Sequence, residues 1–185
     1  MINPRVIRTG LHNLPEGSIV LIEANGEDAT EVNVEVVRFL AGEGYSIILV
    51  SAGRPYTNLL RVYNEKKVDV SKIFFIDCLS KHTIKTEDSA NVAFMDDVSD
   101  LTSISIAVSE AARTLPNKKF LLIDSLSSML IYNDPAVYTR FIHSTITKLR
   151  VSQVSCGLLS YNAESDREVK KEVAMFCDKT VKLNQ

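Results

Sequence analysis

Four carboxylates, Glu23, Glu27, Asp28 and Glu31, crowd the stretch GSIVLIEANGEDATE, residues 17–31. The order there is an apolar run, a turn-rich patch and the start of a helical pattern, which is where a phosphate-binding loop would sit. Such a loop reads G-x-x-x-x-G-K-T/S. Its glycines let backbone N–H groups close around phosphate, its lysine neutralises the charge, and its hydroxyl binds Mg²⁺. Laid on residues 23–30, the first glycine position holds Glu23, the second Asp28 and the lysine position Ala29; only Thr30 fits. Sliding the frame so that Gly26 becomes the second glycine puts Glu27 on the lysine position. Two unit charges ~5 Å apart interact by roughly 3 kcal/mol at an effective dielectric of ~20. A helix N-terminus offers an anion only ~0.3–1 kcal/mol. The loop therefore repels a triphosphate, and its acids suit the helix that follows as capping charge.

A second candidate is KKFLLIDSLSSML, residues 118–130, where four apolar residues end in Asp124 and Ser125. A strand-terminal Asp can hold Mg²⁺ through water, as in phosphoryl-transfer enzymes; the structural alternative is an Asp that caps the next turn. Ser125 has no identifiable base, and no G-x-S-x-G elbow exists. In VSAGRPYTN, residues 50–58, no carboxylate stands ready to orient an attacking water, and Arg54 either meets an anion or sits solvated in a turn. Asp77 could serve as a phosphoacceptor, but the acid pair and lysine which that chemistry needs are not in place. The acidic cluster Asp96, Asp97 and Asp100 is explained more simply by helix capping than by a cation. GEG at 42–44 follows a helix, which argues against a dinucleotide loop. His12, His82 and His143 have no ligand spacing with each other or with the cysteines. Cys78, Cys156 and Cys177 are far apart and odd in number, as expected of buried reduced thiols in a cytoplasmic protein.

These residues need a scaffold, and the apolar pattern supplies one. The chain has 185 residues, 45% apolar and 24% charged, with net charge -2 and no basic stripe of the kind nucleic acid requires. Its apolar runs fall far short of the ~20 residues of a membrane helix, and residues 1–17 lack the apolar core of a secretory signal. Short apolar runs predict strands over 18–23, 45–50, 72–77, 119–124, 154–160 and 179–183, with a weaker one over 91–96. Because they do not alternate, they suit strands buried on both faces. Helical spacing predicts helices over 30–42, 58–65, 100–115, 134–150 and 166–176. The fourth carries a stripe of Val137, Phe141, Ile142, Ile146 and Leu149, with Asp134 as N-cap and Pro135 in its first position. This βαβ rhythm implies an α/β fold with a mainly parallel sheet and helices on both faces. One domain is expected over 1–185, with 1–16 as an N-terminal extension. Ligands of such sheets bind beyond the carboxyl ends of the strands, here Glu23, Ser51, Asp77, Asp124 and Ser160.

Taken in order, several segments are similar to the KaiC/RecA-like superfamily of P-loop ATPases, and within it to small archaeal KaiC-like proteins of unassigned role. GSIVLIEANGEDATEV resembles the first strand, loop and helix, and KIFFIDCLSK a third-strand segment. DDVSDLTSISIAVSEA resembles the helix before the Walker B strand, KKFLLIDSLSSMLIYND the Walker B segment, VYTRFIHSTITKLR the helix after it and DKTVKLN the last strand. The resemblance covers about residues 17–184. It implies a three-layer RecA-like core, with Asp124 in the Walker B place and Thr30 in the hydroxyl place. The Walker A glycines and lysine are missing, and Ser51 and Ala52 stand where KaiC-like ATPases carry catalytic acids.

The expectation is a degenerate nucleotide site made of Glu23, Asp28, Ala29, Thr30, Asp124 and Ser125, with no catalytic residue, no cofactor and no metal except at Asp124 if anywhere. The chain would then be a catalytically inactive interaction or regulatory module, meeting a protein partner or its own copies and neither nucleic acid nor membrane. The alternative is a weak or composite ATPase, or a nucleotide sensor, that takes Mg-ATP with a neighbouring subunit completing the site. The resemblance further implies that the strands ending at Glu23 and Asp124 lie side by side and parallel; strands found apart or antiparallel would refute the assignment.

Overall fold

The computed structural model describes residues 2–81, 90–161 and 166–183. Among them are seven strands: β1 (Ile19–Glu23), β2 (Ser46–Ser51), β3 (Ile73–Asp77), β4 (Val92–Phe94), β5 (Lys119–Asp124), β6 (Ser155–Ser160) and β7 (Lys179–Lys182). They form one sheet in the order β4-β3-β2-β5-β6-β1-β7, with every pairing parallel. The helices are α1 (Pro4–Leu11), α2 (Ala29–Gly42), α3 (Tyr56–Glu65), α4 (Leu101–Thr114), α5 (Leu126–Leu130), α6 (Pro135–Val151) and α7 (Arg167–Ala174).

Side chains that alternate along each strand feed two apolar layers. Val20 and Ile22 face a core closed by Ile7, Leu11, Leu40, Leu59 and Tyr63 from α1, α2 and α3. Ile19 and Leu21 face a second core closed by Ile104, Met129, Ile142, Leu149 and Val173 from α4 to α7. Each such side chain, fully buried, contributes about 1.5–3 kcal/mol, so both faces of the sheet are held by the same force. The helix starts are fixed locally. Asp100 accepts from the Ser103 N–H, and Asp134 accepts from the N–H groups of Ala136 and Val137 with Pro135 beside it.

The expected three-layer α/β architecture is present, and its elements fall within a few residues of their predicted limits. Residues 1–16, the expected extension, carry α1, which buries Ile7 and Leu11 in the first core. Three points differ from expectation. The short helix α5 was not expected. Val137 is 44% exposed and does not belong to the buried stripe of α6. Finally, β1 and β5 are parallel but not neighbours, because β6 lies between them. The run SCGLLS is buried at every position, and Gly157 lets Phe120 and Leu122 of β5 and Ile22 of β1 close over it. A Cβ there would stand 3.0 Å from the Phe120 ring. No helix among the described residues is long and apolar enough to cross a membrane.

Candidate functional site

The strand register sets Ser51 beside both Asp77 and Asp124, and Glu23 beside Ser160, along one edge of the sheet. Asp124 is 5% exposed, and both of its carboxylate oxygens are engaged. The Asn33 amide donates to Oδ2 at 2.8 Å, and the Tyr161 hydroxyl donates to Oδ1 at 2.9 Å. The Asn33 carbonyl accepts in turn from the Tyr63 hydroxyl. Four side chains from α3, α2, β5 and the segment after β6 thus form a continuous chain of hydrogen bonds, and each bond polarises the next in a low dielectric. Burial pushes the Asp124 carboxyl above its ordinary range, opposed by the Tyr161 bond, the Arg54 guanidinium and Asn33. Burial and the nearby Asp124 charge push the Tyr161 and Tyr63 hydroxyls up as well.

Tyr161 also lies across the acidic loop. Its hydroxyl is 3.3 Å from the Ala29 carbonyl, and its own carbonyl oxygen faces Gly26. Behind it, Gly26–Asp28 forms a tight 3-10 turn that leads directly into α2. Thr30 and Glu31 are exposed; Asn33, one turn further on, is the residue of α2 that reaches Asp124. Asp28 is buried at the N-cap position but makes no side-chain cap bond to α2, contrary to the expected capping role. Glu23 turns away toward Lys170 and Lys182, at 3.7 and 3.9 Å. Of the six expected site residues, Asp124 and Ala29 meet across Tyr161 and Ser125 adjoins Asp124 in the chain, whereas Glu23 turns to the lysines and Thr30 is exposed.

The neighbouring groups are structural. Ser125 is fully buried, and its Oγ accepts from the Ser128 N–H as the cap of α5; the Asp124–Ser125 peptide is cis. Asp77 accepts from the N–H groups of Tyr56, Leu79 and Ser80 and from the Ser80 hydroxyl, which leaves no oxygen open for a phosphoryl group. Asp166, also fully buried, accepts from Ser127 and Ser160 and ties the start of α7 to α5 and the end of β6. At the end of β2 the Ser51 hydroxyl donates to the Arg54 carbonyl, and Gly53 is pressed against Ser128. Arg54 is half-buried rather than freely solvated.

Among the described residues no cluster of three or more His, Cys, Asp or Glu is placed to hold a metal. His12 pairs with Glu43, His143 lies against the Phe176 ring, and His82 lies outside the described residues. Asp97 and Asp100 cap backbone N–H groups as expected, and Asp96 pairs with Lys81. The cysteines are free; burial raises the Cys78 thiol to about 12 and the Cys177 thiol to about 11, and Cys156 is raised too. Thiols raised in this way carry little thiolate at neutral pH.

Sequence reasoning missed Asn33, Tyr63 and Tyr161. Asn33 carried a signal: it is a lone polar side chain among Val32, Val34, Val36 and Val37 on a helix whose other inward residues are apolar. Tyr63 and Tyr161 carried none, since an aromatic residue in or beside an apolar element reads as packing.

A family model matches residues 17–183. The chain belongs to DUF7504, a family of unknown function. No curated protein matches it. Among solved structures, an uncharacterised Pyrococcus horikoshii protein, PH0321, crystallised with an unknown peptide, is similar over 98% of this chain and 84% of its own, with TM-score 0.72 and 13% identity. The KaiC-like protein PH0186 of the same organism is similar over 92% and 74%, with TM-score 0.64 and 16% identity. A helicase ATPase domain is similar over 93% and 71%, with TM-score 0.62 and 13% identity. The chain therefore shares the α/β fold of RecA-like ATPase domains. The intervening β6 leaves that likeness intact, so the expected adjacency of β1 and β5 was the error and not the fold.

Proposed function

We propose that the chain is a catalytically inactive RecA/KaiC-like domain that works by binding another protein. One observation carries the reading: both oxygens of Asp124 accept from the chain's own Asn33 and Tyr161. A hydrated Mg²⁺ must displace both donors and then sit beside a loop that has acids and no lysine. An attacking water finds Ser51 and Ala52 where a base is needed. The peptide seen with the PH0321 protein, which has the same fold, is in keeping with a protein-binding role for this frame.

The test is thermal unfolding with and without Mg-ATP. A ligand at 100 times its dissociation constant stabilises by ~2.7 kcal/mol. The expected result is an unchanged melting temperature at low-millimolar Mg-ATP. A clear rise overturns the reading in favour of a nucleotide sensor or an ATPase completed by a neighbouring subunit.

A further inference from the structure

The strand β7 ends the sheet, and among the described residues no strand pairs with its outer edge. Of its four residues only Val181 is buried; Lys179, Thr180 and Lys182 are exposed. Helix α1 lies over Val181 at very close range. A Cβ on Gly10 would stand 2.7 Å from a Val181 methyl, so glycine is what lets the helix backbone approach the strand. Between them runs a cleft of about 370 Å³ lined by Arg5, Val6, Thr9 and Gly10 on the helix side and by Lys179 to Lys182 on the strand side.

We propose that this cleft takes an extended acidic peptide of another protein, added as a further parallel or antiparallel strand on β7. The inference rests on the interaction-module reading and names its partner class. Unpaired backbone groups at a sheet edge template an incoming strand, and side chains at alternate positions give the specificity. The charges on the cleft are all positive. Arg5 makes no ion pair among the described residues, and Lys179 has only a 3.5 Å contact to the Thr9 carbonyl. Lys182 stands 3.9 Å from Glu23 at the strand's end. Apolar side chains of the peptide would meet Val6 and Val181, and carboxylates would meet Arg5 and Lys179. The same charges oppose a second copy of this chain: two β7 strands paired edge to edge would set lysine near lysine, and like charges directly opposite are destabilising.

The probe is a fluorescein-labelled peptide of alternating Glu and Val, about eight residues long as suits a strand, with a twin carrying Lys for Glu. Anisotropy titrations at low salt are expected to show binding of the acidic peptide at least about tenfold tighter than its twin, weakening as salt rises. Hydrogen exchange is expected to slow at residues 179–182. The pair Arg5→Glu and Lys179→Glu is expected to lower affinity at least about tenfold with an unchanged melting temperature. Equal binding of the two peptides, no binding, or protection confined to other strands overturns the proposal. Protection of 179–182 that grows with protein concentration in the absence of peptide also overturns it and assigns the edge to a second copy. The outcome is independent of the Mg-ATP experiment: a failed peptide titration with no ATP response removes this edge and leaves the inactive-domain reading standing.

Discussion

The end of β5 and the edge of β7 treat polar groups in opposite ways. Around Asp124 the side chains of Tyr63, Asn33 and Tyr161 turn inward and satisfy one another. Along β7 no strand among the described residues pairs with the outer edge, and the cations of Arg5, Lys179 and Lys182 stand at the surface. A buried polar group left without a partner costs about 1–3 kcal/mol, more if charged. A strand end that lies in the core must therefore close on itself when no ligand is there to satisfy it, whereas an exposed edge can stay open at no such cost. The difference teaches that Asp124, at the edge where ligands of such sheets usually bind, is closed by the chain's own donors, and an open polar surface stands at the side.

That contrast can be broken most severely at Asp124. Asp124→Ala leaves the Asn33 amide and the Tyr161 hydroxyl buried without an acceptor, and a loss of about 3 kcal/mol in urea unfolding is expected. An increase in stability would instead mark Asp124 as a strained functional group held ready for a ligand. Gly10→Ala comes next: the added methyl meets Val181, and overpacking of about 1–3 kcal/mol is expected, together with loss of the β7 cleft. Tyr161→Phe removes a single bond to a carboxylate and should cost about 1.5–3 kcal/mol without bringing a response to Mg-ATP.

The pH dependence of the sealed site has a definite sign. Burial raises the Asp124 carboxyl in the folded state, so the fold favours its protonated form. Its contribution is full below the unfolded value near 3.9 and is lost as pH rises through the raised folded value. The wild type should therefore lose stability relative to Asp124→Asn as pH climbs through that window. A difference that does not change with pH would show the carboxyl to be unperturbed. The smallest effect is expected from rebuilding the loop. Asp28→Gly combined with Ala29→Lys supplies a glycine and a cation for phosphate, yet phosphate release should stay at background because Ser51 and Ala52 offer no base. Hydrolysis well above background would reveal a base elsewhere and undo the contrast.

The sequence by itself determined the seven strands and the five helices α2, α3, α4, α6 and α7, though not α1 or α5, and that both faces of the sheet are covered. Runs such as Ile19–Glu23 and Lys119–Asp124 are apolar without alternation, and only a strand buried on both faces accommodates that. It also determined that the first loop lacks the glycines and lysine of a phosphate site, because that deficit is one of residue type and needs no coordinates. The order of strands was not legible, since an apolar period says that a segment is buried and not beside which neighbour. Only the tertiary structure put β6 between β1 and β5. The sealing of Asp124 was decided the same way. Its partners lie 91 and 37 residues away in the chain, and Tyr63 lies 30 residues beyond Asn33. No local pattern links residues at such separations. They meet because hydrophobic packing on both faces brings α2, α3 and the end of β6 to one strand end, where the polar atoms of Asp124, Asn33, Tyr63 and Tyr161 pair with one another.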